Sequence, residues 1–342
     1  MFKDASNNRL CSLAPGCNKA SHPINCFVIN SLPDEALKPI IAHHASKPSA
    51  FYSQPIHIAM KVAYFGSDLF LGCLPVFAAH GHQIDTIYTA GDAQHHAILQ
   101  NYAQRHNIRC QHQRPSAADI QNLLTRGVEC LFANQYDALI PLPADDLITL
   151  NVHPTLLPHG RGATPLHHLI LQYPQYAGVT LHKLAERFDC GDIVLQSALS
   201  VECTESLESL IVKLDFRISS LLDELFSHWP ALYQNARPQG AGSVWPKISL
   251  QDRLIDWQSR GQELDRLVRA FGRFGVIACA GDECWLVNHV EIHAADLAVK
   301  AGAILYEDSR TRAIAIADGY VIIYKDSILE TMPMATIQAD SA

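Results

Sequence analysis

Three polar residues of the chain have the types and spacing that acyl-transfer chemistry requires. Asn151 and His153 stand two residues apart in a strand-like run, and at that spacing both side chains point to one face of a strand. Asp189 follows in a turn with Gly191, and a carboxylate on a loop can orient an imidazole and raise its basicity. The motif offers no central Ser or Cys nucleophile. The trio therefore suits direct transfer between two bound substrates, with Asn151 and His153 stabilising a tetrahedral oxyanion and Asp189 organising proton transfer.

The loop after His153 is stiffened by Pro154 and Pro158, because proline fixes its own backbone φ angle. Thr164-Pro165 ends this loop and is typical of a helix N-terminus, where proline sacrifices no hydrogen bond. We therefore expect a strand that ends in the Asn-x-His pair, then a rigid loop and a helix. The alternative interpretation of His153 is a buried, hydrogen-bonded structural histidine.

Strands and helices alternate along the chain from Met60 onward. The strand-like runs are 61–65, 84–89, 107–111, 128–133 and 147–152. The helix-like runs are 69–80, 93–105, 117–126, briefly 143–146, and a long apolar stripe over 206–226. Such alternation predicts the α/β class, with a doubly wound, mostly parallel, Rossmann-like sheet that binds ligands beyond the carboxyl ends of its strands.

The pattern changes after a Pro/Gly-rich stretch at 230–246. A short helix at about 262–271 precedes strand-like runs at 275–280, 284–290, 302–307, 313–317 and 320–325. Gly281-Asp282 and Asp318-Gly319 are typical of hairpin turns, and short antiparallel strands predict a small OB-like β-barrel. The predicted domains are an N-terminal extension at 1–59, a catalytic domain at 60–229, a linker at 230–246, a C-terminal OB-like domain at 247–330 and a tail at 331–342.

The N-terminal extension holds six of the 18 prolines and no sustained period of 2 or 3.6. We expect it to be poorly ordered, or the functional chain to begin at Met60. A docking segment is the alternative.

Composition narrows the class of protein. The 342 residues are 48% hydrophobic and 18% charged, with a net charge of −8, which is a normal globular balance. No apolar run approaches the roughly 18 to 20 residues that span a bilayer, and no secretory signal is evident. The ten cysteines form no CxxC pair, so we expect isolated thiols and a cytoplasmic protein. Histidines occur in adjacent pairs such as His95-His96, which on a helix point about 100° apart, so we expect no metal.

Two nucleotide-binding motifs are absent from the first turn of the α/β domain. Residues 66–72 fit neither G-x-G-x-x-G nor the Gly-Lys-Ser/Thr of a P-loop, and Asp68 would repel a pyrophosphate at the helix N-terminus. The sequence therefore argues against NAD-linked chemistry.

The central run carries a family resemblance. Residues 151–165 read Asn-x-His-Pro-Thr-Leu-Leu-Pro-x-x-Arg-Gly-x-x-Pro, and Gly-Val-Thr at 178–180 and Asp-x-Gly-Asp-Ile at 189–193 follow. This combination resembles the 10-formyltetrahydrofolate-dependent formyltransferases. It is most similar to the branch that contains methionyl-tRNA formyltransferase and the formyltransferases of amino sugars and hydroxyornithine. The resemblance covers about residues 60–330 and reaches the C-terminal domain through 255–257 and 267–271.

The resemblance implies a one-carbon transferase that uses 10-formyltetrahydrofolate as co-substrate, without a metal. Asn151 and His153 would then bind the formyl oxygen and the oxyanion that develops from it. Asp189 would hold His153 and help to remove a proton from the attacking amine.

The resemblance also implies binding residues. The segment Asn134-Gln135-Tyr136-Asp137 would flank the folate pocket, through backbone contacts. Arg161 would lie near the acceptor, with a solvated loop cation as the alternative. Thr155 stands where the family usually has serine and keeps the hydroxyl.

The acceptor is predicted from charge. Methionyl-tRNA formyltransferases carry a basic insertion after the second strand, whereas residues 88–96 here contain no Lys or Arg. Residues 243–342 carry ten basic and 14 acidic side chains, and phosphate-backbone binding needs positive charge. The family's Pro-Trp-Pro-like segment is replaced by Gly-Arg-Phe-Gly at 272–275. We therefore expect a small-molecule amine as acceptor, an amino sugar nucleotide or a modified amino acid, with Met-tRNA as the alternative.

Other function classes stay open at this point. A non-catalytic folate-binding or regulatory module of the same fold would not need an oriented Asn, His and Asp. A glycinamide-ribonucleotide formyltransferase would lack the C-terminal β domain, and a formyltetrahydrofolate hydrolase would usually carry a regulatory domain at its N-terminus. Sugar-modifying relatives are often dimers, so a homodimer is among the expected partners, although no feature of the sequence argues for one.

Overall fold

The computed structural model describes residues 59–89, 95–143 and 147–339 of the chain. The extension predicted at 1–59 therefore lies outside the described residues except for Ala59. The short helix predicted at 143–146 lies outside them except for Pro143.

A seven-stranded sheet forms the centre of the first domain. Its strands are β1 (Lys61–Gly66), β2 (Gln83–Tyr88), β3 (Arg109–Gln111), β4 (Cys130–Asn134), β5 (Ile148–Thr155), β6 (Ala177–His182) and β7 (Ile193–Ala198). The spatial order is β3-β2-β1-β4-β5-β6-β7, with β6 antiparallel to both β5 and β7 and the other neighbours parallel. The predicted α/β class with a mostly parallel sheet is confirmed.

Helices cover the sheet. They are α1 (Cys73–Ala79), α2 (Ala97–Arg105), α3 (Ala117–Thr125), α4 (Pro165–Leu171), α5 (Leu207–Ser227) and the short α6 (Ala231–Gln234). In α5, Leu207, Leu210, Leu214 and Ile218 are fully buried, so the predicted apolar stripe faces the core. The α4 helix begins at Pro165 behind Thr164, as the sequence predicts.

Strand β5 differs from the prediction of a strand over 147–152. It continues to Thr155, because its end pairs with β6 in the register His153↔Thr180 and Thr155↔Ala177. Pro154, which has no N–H to donate, lies at the register shift between these two pairs. His153 therefore lies inside the paired strand rather than at its end.

The second domain contains a helix and two antiparallel sheets. Its elements are α7 (Gly261–Phe271), β8 (Val276–Ala280), β9 (Glu283–Val287), β10 (Val290–Ala294), β11 (Ile304–Glu307), β12 (Thr311–Ile316), β13 (Gly319–Tyr324), β14 (Ile328–Pro333) and α8 (Met334–Ala339). The sheet orders are β10-β13-β12-β11 and β14-β9-β8. The C-terminal β domain is confirmed, but a closed OB-like barrel is not.

Three predictions in this domain need correction. The run 284–290 is two strands, since β9 pairs with β8 and β14 whereas β10 pairs with β13. The second hairpin turn is Ala317-Asp318, one residue earlier than predicted, because Gly319 already pairs with Ile316. Paired structure also passes residue 330, where a tail was expected to follow, since β14 reaches Pro333 and α8 comes after it.

The sequence predicted isolated thiols at all the cysteines, but two of them form a disulfide. Cys279 and Cys284 are opposite each other in the β8–β9 hairpin, and their sulfurs are bonded at 2.10 Å. Strand pairing brings together two cysteines that no CxxC spacing would have flagged.

The second domain packs against the helix that follows the Asn-x-His loop. His167 of α4 stacks on Phe271 of α7, with ring centroids 4.8 Å apart, and its Nδ1 lies 2.8 Å from the Ala270 carbonyl oxygen. The Ile248 amide donates to the Thr164 hydroxyl at 2.9 Å. Within the described ranges, no helix is long and apolar enough to cross a membrane.

Candidate active site

A cavity of about 260 Å³ opens where the predicted chemistry lies. The order of strands reverses between β1 and β4, and in such sheets ligands bind beyond the carboxyl ends near that point. One wall comes from β5 and the turn after β6, the other from the segment that follows β4. The residues facing it include Asn151, His153, Asp189, Gln135, Tyr136 and Asp137.

His153 is held between two acceptors. Its ring is buried, with Nδ1 3.3 Å from Oδ1 of Asp189 and Nε2 2.8 Å from the carbonyl oxygen of Gly160. The carbonyl oxygen accepts a hydrogen bond from the Nε2–H group, so the ring orientation is fixed from the loop side.

Asp189 receives bonds from several directions although its backbone is in the left-handed region, with φ of 55°. Its Oδ2 accepts the Gly162 amide at 2.9 Å, and its Oδ1 faces His153 and, at 3.5 Å, Nδ2 of Asn151. The Asp189 carboxylate therefore connects Asn151 and His153 to the loop that follows β5.

His182 supports Asn151 from below. Its Nδ1 lies 2.7 Å from the Lys183 carbonyl and therefore carries the proton. Burial lowers the pKa of His182 to about 4, so the ring is neutral at neutral pH, and its bare Nε2 accepts Nδ2 of Asn151 at 3.0 Å. Because the His182 Nε2 atom can only accept, this bond fixes the orientation of the Asn151 side-chain amide, with Nδ2 towards His182.

In the segment 134–137, residues 135–137 face the cavity and residue 134 does not. Gln135 has φ of 56°, and residues 135–137 turn into the cavity. The ring of Tyr136 lies edge-on to Phe65, and its buried hydroxyl has no hydrogen-bond partner within the described chain. Burial raises the pKa of Tyr136 to about 12, so this hydroxyl stays protonated.

Asn134, by contrast, faces away from the cavity. It is fully buried, and its Nδ2 donates to the Phe70 carbonyl and to the Tyr64 hydroxyl, each at 2.9 Å. Its side chain anchors the loop after β1 beneath the site, and any contact of Asn134 with a ligand stays a prediction.

Arg161 is already engaged by the protein. Its Nε and Nη2 donate to Oε1 of Gln239 at 3.1 and 2.7 Å. The acceptor contact predicted for Arg161 therefore stays a prediction, and its present partner lies in the segment between the two domains.

The structure adds two residues to the site that the sequence did not indicate. His182 has no role that its sequence neighbourhood indicates, and it joins the site because the antiparallel register sets it opposite Asn151. Gln239 lies 50 residues from Asp189, whose carbonyl accepts its Nε2 at 2.9 Å. Neither pairing has a signal in the spacing of the sequence.

Comparison with known proteins identifies the family of the chain. Residues 81–223 match the profile described as formyl transferase, and residues 247–337 match that of the formyl transferase C-terminal domain. The chain belongs to the formyltransferase family. The second match runs past residue 330 and includes β14.

Curated proteins similar to this chain include two methionyl-tRNA formyltransferases. The methionyl-tRNA formyltransferase of Treponema denticola is 32% identical over 143 residues, which are 41% of this chain and 43% of that protein. The methionyl-tRNA formyltransferase of Coprothermobacter proteolyticus is 27% identical over 261 residues, 72% of this chain and 86% of that protein. The alignment thus spans less than half of the first relative and most of the second.

Solved structures share the fold of this formyltransferase at low identity. HypX from Aquifex aeolicus in complex with tetrahydrofolic acid has a TM-score of 0.58 and 18% identity, covering 82% of this chain and 47% of that one. The N-formyltransferase from Helicobacter canadensis, in complex with folinic acid and dTDP-3-aminofucose, has a TM-score of 0.54 and 14% identity, covering 78% and 99%.

Proposed function

We propose that this protein moves a formyl group from 10-formyltetrahydrofolate to the amine of a small molecule. The observation that carries the proposal is the convergence of Asn151, His153 and Asp189 on one cavity, with Asp189 touching both of the others. A binding module would not need a carboxylate, an imidazole and an amide in mutual contact. The family assignment supports the same reaction.

The residues divide the chemistry among them. The amine attacks the formyl carbon, forming a carbon–nitrogen bond, and the bond from that carbon to N10 of the folate then breaks. In this proposal, Asn151 and His153 donate to the oxygen that becomes negative in the tetrahedral intermediate, which takes the place of their present acceptors, His182 and the Gly160 carbonyl. Asp189 accepts the proton that the amine loses, and N10 of tetrahydrofolate gains one.

The folate is proposed to enter beside residues 135–137. The turned backbone at Gln135 offers hydrogen bonds to a flat polar ring, and Tyr136 lines the same wall. Phe188 stands half-exposed at the rim, where this cavity adjoins a second one, and its ring can stack on an aromatic ligand. Both the Aquifex aeolicus and the Helicobacter canadensis structures contain folates.

Charge supports a small acceptor. Four of the ten basic side chains of residues 243–342 lie in ion pairs: Arg269 with Asp265, Arg273 with Glu208, and Arg312 and Lys325 with Glu307. Cations that are neutralised within the protein contribute little to a nucleic-acid footprint. The Helicobacter canadensis N-formyltransferase, whose structure contains dTDP-3-aminofucose, supports an amino-sugar nucleotide as one candidate acceptor.

Met-tRNA is the second candidate acceptor, because both curated relatives are methionyl-tRNA formyltransferases. The two acceptors differ in their salt response. Binding of a tRNA backbone weakens steeply with salt, whereas a small amine depends on local contacts.

The test is a spectrophotometric assay of tetrahydrofolate release with 10-formyltetrahydrofolate and no acceptor, then with a panel of amines, and then with Met-tRNA. We expect release with one small amine and little response to added salt. Release with Met-tRNA at a comparable rate would replace the small amine by tRNA. Release without acceptor would indicate a hydrolase, and no release under any condition would support a binding module.

The remaining proposals concern metal dependence, cellular location and oligomeric state. Within the described ranges, no group of three or more His, Cys, Asp or Glu residues could hold a metal ion, so we propose that turnover is unaffected by chelators. A cytoplasmic location and a homodimer stay predictions from the sequence.

A further inference from the structure

Gln239 makes four hydrogen bonds around the catalytic turn. Its Nε2 donates to the carbonyl oxygens of Asp189 at 2.9 Å and of Gly191 at 2.7 Å. Its Oε1 accepts Nε and Nη2 of Arg161 at 3.1 and 2.7 Å. A side-chain amide has two N–H donors and two acceptor lone pairs, so Gln239 uses its full capacity here.

The turn that Gln239 holds does not adopt a relaxed conformation. Asp189 has φ of 55°, a region that costs a non-glycine residue roughly 1 kcal/mol or more unless its surroundings impose it. Two residues later, a Cβ atom at Gly191 would collide with the Lys183 carbonyl, so the turn is pressed against the neighbouring strand. Bonds to the carbonyls on both sides of Cys190 therefore fix the direction in which the Asp189 carboxylate points.

The segment that carries Gln239 is attached to both loops of the site. Arg237 exchanges backbone hydrogen bonds with Ile193 at 2.8 and 2.9 Å. Trp245 donates its amide to the Arg161 carbonyl at 2.8 Å, and Ser243 accepts the Arg161 amide at 3.1 Å. Gln239 lies between these two attachments, and its own position is thus set by the backbone on each side.

We propose that Gln239 is a positioning residue for Asp189, and that Arg161 acts by holding Gln239 rather than by binding the acceptor. The inference rests on the proposed formyl transfer, in which the direction of the Asp189 carboxylate matters. It assigns the connector between the two domains a part in catalysis that neither family match covers, since the matches end at residue 223 and resume at 247.

The central variant is Gln239→Ala, with Gln234→Ala as its matched control. Gln234 is an exposed glutamine in α6 of the same connector. We expect Gln239→Ala to lower kcat roughly 10- to 100-fold, since a misplacement of about 1 Å at a reacting group costs that much. The KM values for folate and amine should change less than threefold, and Gln234→Ala should match the unsubstituted protein.

Gln239→Glu separates the two halves of the interaction. A glutamate keeps the acceptor for Arg161 but cannot donate to the carbonyls of Asp189 and Gly191. We expect its kcat to fall at least as far as that of Gln239→Ala. Near-normal kcat in Gln239→Glu would show that holding Arg161 is all that matters and would overturn the positioning role.

Arg161→Ala and the double variant test the second part of the proposal. If Arg161 acts through Gln239, Arg161→Ala lowers kcat and the double variant falls no further than Gln239→Ala alone. A rise in the KM of the amine in Arg161→Ala, with Gln239→Ala unaffected, would assign Arg161 to the acceptor and overturn the inference.

Amide hydrogen exchange gives a readout that does not need turnover. Exchange in the peptide spanning residues 184–193 should accelerate in Gln239→Ala and in Gln239→Glu, and stay unchanged in Gln234→Ala. If the unsubstituted protein transfers no formyl group, the proposed function fails while this effect on the turn is still measurable. Unchanged exchange together with unchanged kcat would overturn the positioning role itself. Thermal unfolding of each variant identifies a general loss of fold, in which case Gln239→Asn, which keeps the amide on a shorter stem, replaces the alanine.

Discussion

At the residue scale, the Asp189 carboxylate is the point where β5, the loop after it and the turn after β6 meet. It accepts hydrogen bonds from the Gly162 amide and from Asn151, and it faces the imidazole of His153 at 3.3 Å. A group placed in this way can orient the imidazole before reaction and take up a proton during it.

Replacing the Asp189 carboxylate by an amide removes its charge and keeps its shape nearly constant. The variant should therefore lose catalytic rate and keep its affinity for the substrates. We expect Asp189→Asn to lower kcat by about 100-fold or more, and Asn151→Ala and His153→Ala to do the same through loss of an oxyanion donor. The KM of the folate should move little, as measured by tetrahydrofolate release. Asp192→Asn, the same change in the same turn, is the control and should keep its activity. Near-normal turnover in Asp189→Asn would refute the proton-transfer role.

His182 predicts how stability responds to acid. Its pKa is about 4 in the folded protein and about 6.5 in an unfolded chain, so between these values the unfolded state binds a proton that the folded state does not. Stability should therefore fall as pH drops from 6.5 to 4, by about 3 kcal/mol from this residue. Urea unfolding at pH 7.5 and 4.5 should show a smaller loss for His182→Gln than for the unsubstituted protein. An equal loss in both would contradict the assignment, and His293→Gln, on exposed β10, serves as control.

At the element scale, periodicity predicted what depends on local sequence and missed what depends on pairing. The alternation before residue 200 and the stripe of α5 gave the class of the first domain and its main helix. The extension of β5, the division of 284–290 into two strands and the bond between Cys279 and Cys284 all follow from register with a partner strand. For the site, the sequence motif was enough to predict Asn151, His153 and Asp189. His182 and Gln239 could be identified only from the three-dimensional structure, because strand pairing and the connector bring them to the site.

The last strand gives an element-scale prediction, because a tail beyond residue 330 would contribute nothing to stability. Met332 of β14 is 8% exposed and packs with Ile277, Cys284 and Ile337. Met332→Ala should lower the free energy of unfolding by about 2 to 4 kcal/mol, the usual cost of truncating a buried large side chain. Leu329→Ala on the same strand is the control, since Leu329 is 51% exposed and should change stability by less than about 0.5 kcal/mol. Equal effects of the two variants in urea unfolding would contradict this packing.

At the scale of the whole molecule, the second domain and the connector before it pack against the elements that form the site. It packs on α4, which begins at Pro165 in the wall of the cavity, and the connector before it lies against the catalytic loop. A Cβ atom at Gly162, where φ is 123°, would lie 2.7 Å from the Trp245 carbonyl, so loop and connector fit only with glycine there. The C-terminal half thus stabilises the geometry of the site.

The strand pairing around β1 leads to a prediction about a chain shortened at its N-terminus. Both edges of β1 are paired, with β2 and β4, and the Met60 amide donates to Nδ1 of His82 at 3.1 Å. Every residue to which we assign a role in transfer lies between residues 134 and 239. We therefore expect a chain of residues 59–342 to unfold within a few degrees of the full chain and to keep its kcat within about twofold, since changes remote from such features are usually small. Thermal unfolding and tetrahydrofolate release measure the two quantities. A truncated chain that fails to fold would mean that the first 58 residues complete the domain, and one that folds with a raised KM for the amine would place them at the acceptor.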